Sequence, residues 1–352
     1  MSDVPTHASD RNRVRLDSAS GNVRIVDLFC GIGGVAEATQ GWTRWFPNTL
    51  AHPSVVTAID IDRRIGPVYE ANHGIRPLVR AIESLDDFSG HTLSESVESG
   101  ASLTDSLAKG SVQTELAEMW WMSPPCQPYT ERGTQRGEAD SRSAGFARIL
   151  ALLERNTPEF IGLENVPAFE GSLHHRQLCQ ILATSGYGVH GFQLCPTDWG
   201  VPMRRRRYYL LARRDGTPPK DLRISSVGRC LSDYLDPRGW EDDTLLVNRD
   251  TVSRYGQAMS LIEADDSAAI ASCFTSAYGN SPVRAGSYLH CHERNLVRRF
   301  SPNEIALLMG FRPGFQWTPD LSQRAKYRLL GNSLAVMVIR DLLRALFESR
   351  RG

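Results

Sequence analysis

The amino-acid sequence predicts an α/β protein with a doubly wound, mostly parallel sheet and a second, small domain. Short apolar runs alternate with helical patterns along the chain to about residue 215. Glycine or polar residues follow several of these runs, as is typical of the carboxyl ends of strands in parallel sheets. From about residue 216, prolines and short strands replace the alternation, which indicates the small domain.

The strands and helices are predicted in chain order from the period of the apolar residues. Short, continuous apolar runs predict buried strands at 23–29, 55–61, 120–123, 160–163, 188–194 and 207–212. Helical periodicity predicts a helix from Val35 and others at 65–72, 146–154, 177–185, 302–309 and 334–347. Ser301 is placed as an N-cap, with Glu304 in position for a capping box. We expect a flexible polar tail at 1–22 and a surface insertion with a short helix at 84–117.

The composition disfavours several classes of protein. The 352 residues, 41% of them apolar, are enough for one large domain, or for a large and a small one. No run of about 18 apolar residues predicts a membrane span, and the polar first 22 residues contain no apolar segment of a secretory signal. Seven cysteines without CxxC or CxxH spacing disfavour a disulfide framework and a zinc site. We therefore expect a cytoplasmic protein with free thiols and no metal.

The basic residues are nearly all arginine. The net charge is zero, so bulk electrostatics do not indicate a nucleic-acid partner, but only Lys109, Lys220 and Lys326 are lysines. A GC-rich genome explains much of this bias. Arginine is also better suited than lysine to phosphates and base edges, because its planar guanidinium forms two hydrogen bonds at once. Arginines cluster at 204–207 and again at 294, 298 and 299, which allows a local basic face on a neutral protein.

A glycine-rich turn after the first predicted strand indicates a cofactor site. In DLFCGIGG, residues 27–34, the glycines let the backbone approach a ligand at a helix N-terminus. Dinucleotide enzymes use similar loops, but this one is not a clean GxGxxG. It also places Asp27 where a cationic amino-acid group could be met, which favours S-adenosylmethionine. Asp60, at the end of the second strand, fits an acceptor for ribose hydroxyls; the alternative is a solvated carboxylate.

Cys126 is the candidate nucleophile. It follows the apolar run 119–122 and is bracketed by Pro124, Pro125 and Pro128. Proline fixes φ and restricts the residue before it, so this cysteine sits on a stiff turn at a strand end. A nucleophile needs such support because its sulfur must meet a substrate atom at a set angle. A packed structural cysteine, the alternative, does not need it.

Glu164, Arg205 and Arg207 suit one reaction together with Cys126. A thiolate that adds to carbon 6 of cytosine makes carbon 5 nucleophilic towards a methyl sulfonium. A protonated Glu164 near ring nitrogen 3 stabilises the charge that develops. The two arginines, two residues apart, point to one face, orient the base and its sugar-phosphate, and help to hold the thiolate form. Taken singly, Glu164 could be a helix N-terminal acid and the arginines a solvated patch.

At these residues the chain resembles the cytosine-C5 methyltransferases. DLFCGIGG resembles their cofactor loop, PPCQPYT their nucleophile motif and ENV their glutamate motif, while RRRR at 204–207 overlaps their RxR motif. YRLLGNSLAV at 327–336 resembles their last motif, so the resemblance spans about 23–347. It implies a Rossmann-like fold that binds S-adenosylmethionine. The implied domains are a catalytic and cofactor-binding domain at 23–215, a target-recognition domain at 216–320 and a C-terminal segment, 321–352, that returns to the first domain.

The resemblance also assigns individual residues to two groups of contacts. The expected cofactor contacts are Asp27, Phe29, Gly31, Gly33, Gly34, Asp60, Ile61, Ile82, Pro124, Asn332 and Ser333. The expected substrate contacts are Gln127, Tyr129, Thr130, Asn165, Cys273, Phe274 and Thr275.

Within the family, the chain looks like the tRNA methyltransferases historically named as the second DNA methyltransferase type. SPPCQPYTERGTQRGEADSR, LENVPAFEGS, PTDWGVPMRRRRYYLLA and SCFTSAYGN carry this resemblance, and Cys273-Phe274-Thr275 is the particular mark of that branch. A small domain of about 100 residues is also short for an enzyme that must read a DNA sequence. The implied substrate is an anticodon-loop cytosine, with aspartate tRNA favoured, because an unpaired base is cheaper to expose than one in a duplex. We expect a monomer.

Three alternatives remain, and three features depart from the branch. A DNA (cytosine-5) methyltransferase shares the motifs. A catalytically silent nucleic-acid-binding module predicts loss of Cys126, Glu164 or the arginines, and none is lost. A nicotinamide oxidoreductase predicts a complete GxGxxG and no Pro-Cys-Gln turn. The departures are Tyr129 in place of phenylalanine, Met203 in place of a polar residue, and the length of the insertion at 84–117.

Overall fold

A seven-stranded sheet forms the centre of the computed structural model, which describes residues 21–85, 117–126, 144–214, 216–224, 226 and 228–348. In chain order its strands are β1 (Asn22–Leu28), β2 (His52–Asp60), β3 (Leu78–Val79), β4 (Met119–Met122), β5 (Phe160–Asn165), β6 (Tyr187–Leu194) and β7 (Arg207–Arg214). Across the sheet the order is β3-β2-β1-β4-β5-β7-β6, and β7 runs antiparallel to both of its neighbours. The predicted doubly wound, mostly parallel sheet is confirmed.

Helices cover both faces of this sheet. In chain order the α-helices of the described residues, of which not all lie on this sheet, are α1 (Gly34–Thr39), α2 (Trp42–Trp45), α3 (Ile65–His73), α4 (Ala144–Leu153), α5 (Leu173–Thr184), α6 (Arg249–Tyr255), α7 (Pro302–Leu308), α8 (Gln323–Gly331) and α9 (Val336–Glu348). Strand β4 shows how the two faces are filled. Met119 and Trp121 pack into one apolar cluster, while Trp120 and Met122 pack into the other. All four side chains are buried, as expected of a parallel strand covered on both sides.

A second sheet of three strands follows the first. Its strands are β8 (Ser260–Glu263), β9 (Ser287–Cys291) and β10 (Leu296–Arg299), in the order β10-β9-β8. Phe274 and Tyr278, which precede β9, belong to the same apolar cluster as one face of the large sheet. Helix α9 contacts α1 and β7, so the end of the described chain packs on the large sheet. The boundaries predicted at residues 215 and 320 stay predictions.

Most of the predicted elements form, with shifted ends. Strand β5 continues to Asn165, two residues further than expected, because Glu164 and Asn165 pair with Tyr209 and Tyr208 of β7. Helix α5 begins at Leu173 rather than at 177, because the Ser172 hydroxyl accepts the His175 amide hydrogen and caps the earlier turn. The two-residue strand β3 was too short for its pattern to predict.

The capping box predicted for α7 is confirmed. The Ser301 side chain accepts from the Glu304 amide, and the Glu304 carboxylate accepts from the Ser301 amide. Glu304 also forms a fully buried ion pair with Arg298, at 2.8 Å, which ties α7 to the three-stranded sheet.

Two predicted segments fall largely outside the described residues. They are the tail at 1–22 and the insertion at 84–117, of which only 21–22, 84–85 and 117 are described. Among the residues that are described, no helix is both long and apolar enough to cross a membrane.

Candidate active site

The site lies where the strand order of the large sheet reverses. The chain builds β2 and β3 on one side of β1, and later β4 and β5 on the other. In such sheets the loops after the two central strands diverge and leave a crevice for ligands. The loop after β1 is the glycine-rich turn, and the segment after β4 carries Cys126. The Ser123 amide donates to the Leu28 carbonyl at 3.1 Å and holds the two loops side by side.

The glycine-rich turn is anchored by Asp60. One carboxylate oxygen of Asp60 accepts from the Gly31 amide and the other from the Asp62 amide, both at 2.9 Å. Burial raises the pKa of Asp60, while these amide donors lower it. Gly31 and Gly33 have positive φ, of 51° and 89°, which glycine adopts without strain. Asp60 is therefore bound into the fold and is not the solvated carboxylate of the alternative interpretation.

His73 supports the turn from behind, a role that the sequence did not reveal. Its Nε2 lies 3.1 Å from the Ile32 carbonyl and its Nδ1 lies 3.0 Å from the Gln40 amide nitrogen. Burial lowers the pKa of His73 to about 4, so the ring is neutral near pH 7. Gln40 can only donate to Nδ1, so the proton lies on Nε2 and points to Ile32. A Cβ atom on Gly33 would lie 2.3 Å from Nε2, so this position requires glycine.

Two buried polar groups beside the turn lack partners among the described residues. Asp27 is 1% exposed, and neither of its carboxylate oxygens has a hydrogen-bond partner there. Burial, and then the charge of Asp60, raise the pKa of Asp27 well above its usual range. The Ser333 hydroxyl is likewise buried without a partner. Unpaired buried polar groups are costly, so a ligand with a cationic group and further donors fits here.

These features agree with the predicted S-adenosylmethionine contacts. Leu334 would touch a Cβ atom on Gly34 at 2.8 Å, so the segment that contains Ser333 lies against the turn. Pro124 and Ile82 are buried, Phe29 is half-buried, and Ile61 and Asn332 are exposed. The donors and acceptors present therefore fit the amino-acid end of the cofactor. The individual contacts stay predictions.

Cys126 is held by the end of β5. The Asn165 side-chain amide donates to the Pro124 carbonyl at 3.2 Å, which fixes the proline turn against that strand. Burial raises the pKa of the Cys126 thiol. The Arg207 guanidinium lowers this pKa, Glu164 raises it and Arg205 lowers it. The three charged groups that were predicted to accompany the thiol therefore all act on it.

Glu164 and Arg207 form an ion pair inside the site. The Arg207 Nε atom lies 3.2 Å from Oε1 of Glu164. Burial raises the pKa of Glu164, and Arg207 and Arg205 lower it to a smaller extent. A carboxyl group with a raised pKa is closer to its neutral form at pH 7, as a donor to a base nitrogen has to be.

Arg205 and Arg207 occupy different environments although they are two residues apart. Only Arg207 lies in β7. Arg205 lies before that strand, is 3% exposed, and donates to the carbonyls of Phe274, Gly331 and Ser333. Its fourth terminal N–H points to the Cys273 sulfur at 3.6 Å, so among the described residues only the buried Nε lacks a partner. Most of the Arg205 donors are therefore taken by the protein itself.

Cys273 connects the two arginines. Arg207 also reaches the Cys273 sulfur, at 3.8 Å. Burial raises the pKa of this thiol, but Arg205 and Arg207 together lower it further, so the net shift is downward. Phe274 is buried among aromatic rings, and Thr275 bonds to the Ala285 backbone. The substrate contacts predicted at all three stay predictions.

The remaining predicted substrate contacts, Gln127, Tyr129 and Thr130, lie outside the described residues. Within the described ranges, no group of three or more His, Cys, Asp or Glu side chains could hold a metal ion.

Several proteins are similar to this chain in sequence and in structure. The tRNA (cytosine(38)-C(5))-methyltransferase of Schizosaccharomyces pombe is 29% identical over 353 residues, which cover 93% of this chain and 97% of that protein. The Homo sapiens protein of the same name is 27% identical, and the match covers 93% of this chain and 99% of that protein. The crystal structure of S. pombe Dnmt2 methyltransferase superimposes with a TM-score of 0.74 at 26% identity, covering 94% of this chain and 100% of that one.

A further solved structure, that of Entamoeba histolytica methyltransferase EhMeth, superimposes with a TM-score of 0.77 at 24% identity. The match covers 94% of this chain and 99% of that one, and it supports the fold. The family described as C-5 cytosine-specific DNA methylase matches residues 23–348. That match contains the anchored glycine turn, the proline-bracketed thiol and the Glu164–Arg207 ion pair. The chain belongs to this family and is a cytosine-C5 methyltransferase.

Proposed function

We propose that this enzyme methylates carbon 5 of a cytosine in the anticodon loop of a tRNA, with aspartate tRNA favoured, through a covalent adduct of Cys126. The observation that carries the chemistry is the ion pair between buried Glu164 and half-buried Arg207, whose charges both act on the Cys126 thiol. The relatives named as tRNA (cytosine(38)-C(5))-methyltransferases carry the choice of substrate, because each match spans nearly the whole of both chains.

Each protein group has one role in the proposed reaction. The Cys126 thiolate adds to carbon 6 of the ring and forms a carbon–sulfur bond, which moves an electron pair towards carbon 5. Neutral Glu164 donates a hydrogen bond to ring nitrogen 3 and stabilises the charge that develops there. Arg207 stabilises the thiolate before the addition. S-adenosylmethionine, when bound, supplies the methyl sulfonium that carbon 5 attacks. Solvent water then takes the carbon 5 proton, the electron pair of that bond re-forms the double bond between carbons 5 and 6, and Cys126 leaves as a thiolate.

Asp27 and Ser333 are the residues that we propose to hold the amino-acid end of the cofactor. Their buried oxygens, which have no hydrogen-bond partner in the described part of the chain, suit an ammonium group and a carboxylate, respectively. Asp60 fixes the Gly31 amide and, through it, the turn that borders the cofactor. We further propose that the enzyme binds RNA as a monomer and works in the cytoplasm.

The test combines two measurements on the purified chain. Incubation with labelled S-adenosylmethionine and total tRNA is expected to label tRNA, and bisulfite sequencing is expected to place the mark in the anticodon loop. A cytosine analogue that traps the thiolate is expected to cross-link the wild-type protein but not Cys126→Ala. A cross-link between the analogue and Cys126→Ala would refute the role of Cys126 as the nucleophile.

DNA is the second candidate substrate. A DNA (cytosine-5)-methyltransferase of Dictyostelium discoideum is 28% identical, although that match covers only 65% of this chain. Type II methyltransferase M.NlaX of Neisseria lactamica is 28% identical over 91% of it. Labelling of unmethylated DNA without labelling of tRNA would establish this alternative.

A further inference from the structure

Tyr69 is a buried polar residue that the proposed reaction does not use. It lies in α3 and is 0% exposed, and its hydroxyl has no hydrogen-bond partner among the described residues. An unpaired buried hydroxyl costs free energy, so in a native protein such a group indicates a bound water or a ligand. The Tyr69 hydroxyl therefore calls for a partner beyond the side chains that surround it in the described part of the chain.

The ring of Tyr69 lies directly behind the glycine-rich turn. A Cβ atom on Gly33 would meet the Tyr69 Cε2 atom at 3.0 Å. His73, one helical turn later in α3, packs edge-on against the same ring, with the two ring centroids 4.7 Å apart. The other side of His73 supports the Ile32 carbonyl of the turn. The phenol is thus wedged between the turn and His73, and its hydroxyl has a fixed position.

Asp27 supplies the group that is complementary to this hydroxyl. Burial, and then the charges of Asp27 and Cys30, raise the pKa of Tyr69 well above its usual range, so the phenol and the carboxyl group lie close enough to interact. A hydroxyl can donate, and both Asp27 oxygens are acceptors without a hydrogen-bond partner among the described residues. The two groups are not bonded directly. One buried water between them would satisfy both.

The surroundings of Asp27 favour its neutral form. The titratable groups that share this space are themselves acids: Asp60 on β2, Cys30 in the turn and Tyr69 on α3. Burial disfavours the charged form of Asp27, and the charge of Asp60 disfavours it further. Among the described residues, no cationic side chain is hydrogen-bonded to Asp27 to offset these effects. Asp27 therefore tends to keep its proton until a cation arrives.

S-adenosylmethionine brings such a cation. Its ammonium group is the one that we propose to meet Asp27, and an opposite charge nearby favours the ionised form of a carboxyl group. Binding then converts the neutral acid into a carboxylate, and the proton passes to the solvent. A hydroxyl that donates to the carboxylate through a water also favours the ionised form, and it therefore strengthens binding.

We propose that Tyr69 is a positioning residue for the cofactor: through one buried water its hydroxyl donates to the Asp27 carboxylate, and the arriving ammonium group releases the Asp27 proton to the solvent. This inference rests on the proposed placement of the ammonium group at Asp27, to which it adds a second residue and a proton exchange. It holds for a tRNA substrate and for a DNA substrate alike.

Calorimetry in the absence of nucleic acid is the test, with S-adenosylmethionine and S-adenosylhomocysteine as probes. Both probes carry the ammonium group, whereas only the first carries the sulfonium. Titrations in phosphate and in Tris, which differ in ionisation enthalpy, count the protons released. From about pH 5 to about pH 7.5, where the amino group of either probe stays charged, both are expected to release a proton. Both are also expected to bind more tightly as pH rises, by up to about tenfold for each pH unit.

Tyr69→Phe keeps the ring and its packing and removes only the hydroxyl. It is expected to weaken both complexes by about fivefold near pH 7 and to shift the pH dependence of binding to higher pH. The value of kcat at saturating cofactor is expected to equal that of the wild type. Tyr187→Phe is the matched control, because it removes a buried hydroxyl that donates to the Pro158 carbonyl in the edge strand β6. Its cofactor affinity is expected to match the wild type at every pH.

The outcomes separate this inference from the proposed function. Wild-type affinity and pH dependence in Tyr69→Phe would overturn the role of Tyr69. Equal binding enthalpies in the two buffers across the whole pH range would overturn the proton exchange, and so would proton release by S-adenosylmethionine alone, which would assign the cation to the sulfonium.

Asp27→Asn distinguishes the inference from the placement on which it rests. This variant is expected to bind both probes weakly and without the pH dependence. If it binds them as the wild type does, the placement of the ammonium group fails and the inference fails with it. If the wild type methylates no nucleic acid, the proposed function fails, whereas proton release that disappears in Asp27→Asn still supports the inference.

Discussion

Replacement of Arg205 tests whether the two arginines of the RxR motif have different roles. The Arg205 side chain joins three parts of the chain, because it donates to carbonyls at Phe274, Gly331 and Ser333. Arg207 instead pairs with Glu164 and contacts Cys273. We expect Arg205→Ala to act mainly on stability and Arg207→Ala mainly on the chemistry of the site.

The contacts of Arg205 set the magnitude. Each buried carbonyl that loses its donor costs about 1–3 kcal/mol, so three of them give at least about 3 kcal/mol. Water that enters the space left by the side chain can donate to some of these carbonyls and so limits the cost. We therefore expect a loss of about 3–5 kcal/mol of unfolding free energy. A typical domain has only about 5–15 kcal/mol in total. Arg207→Ala is expected to cost about 1–2 kcal/mol, because Glu164 can become protonated once its partner is lost.

Urea unfolding followed by tryptophan fluorescence measures these differences. The same proteins are then tested for the rate at which Cys126 is alkylated as a function of pH. Arg207→Ala is expected to shift that profile to higher pH, because the guanidinium lowers the pKa of the thiol. An Arg205→Ala protein that loses less than about 1 kcal/mol of unfolding free energy would refute the assignment of Arg205 as a connection between segments.

Three further substitutions test other groups. Asp27→Asn is expected to weaken S-adenosylmethionine binding by about tenfold or more in calorimetry, because it removes the charge proposed to meet the ammonium group; unchanged affinity would contradict this. Glu164→Gln is expected to lower the pKa of the Cys126 thiol yet reduce kcat by about 10²–10³-fold, since the negative charge is lost together with the proton donor; kcat equal to the wild type would exclude Glu164 from the reaction. Because His73 stays neutral in the folded protein while the unfolded chain takes up the proton first, the unfolding free energy is expected to fall as pH falls from 6.5 towards 4. His73→Phe is expected to lose this part of the pH dependence. If the difference in unfolding free energy between wild type and His73→Phe is the same at pH 7 and pH 4, the neutral state of His73 is refuted.

The sequence predicted the parts of the site that follow strands. Asp60 ends an apolar run and Cys126 follows another after a short turn, and parallel strands bring such positions to one edge of the sheet. Glu164 was expected to close its strand and to stand over the same pocket; β5 continues past it to Asn165, and the Glu164 charge acts on the Cys126 thiol. Local patterns therefore sufficed wherever one strand positions one residue.

The sequence did not predict features that depend on pairs of distant residues. The support of Ile32 by His73 depends on a contact 41 residues apart, and nothing in the local pattern of α3 marks that histidine. The connection from Arg205 to Ser333 spans 128 residues. The RxR pattern predicted two arginines that point to one face, whereas Arg205 is held by carbonyls of segments whose positions only the tertiary fold determines.

The pKa shifts of Cys126 and Glu164 together explain why the carboxyl group and the thiol lie in one pocket. Burial raises the pKa of the thiol, which disfavours the nucleophile, and a charged Glu164 raises it further. Burial also raises the pKa of Glu164, which favours the neutral carboxyl. Once Glu164 is protonated, its effect on the thiol disappears and only the lowering effect of the arginines remains. The same protonation provides the donor for ring nitrogen 3. We therefore expect the reactive state to carry one proton on Glu164 and none on Cys126, a distribution that the Glu164–Arg207 pair opposes until a base displaces it.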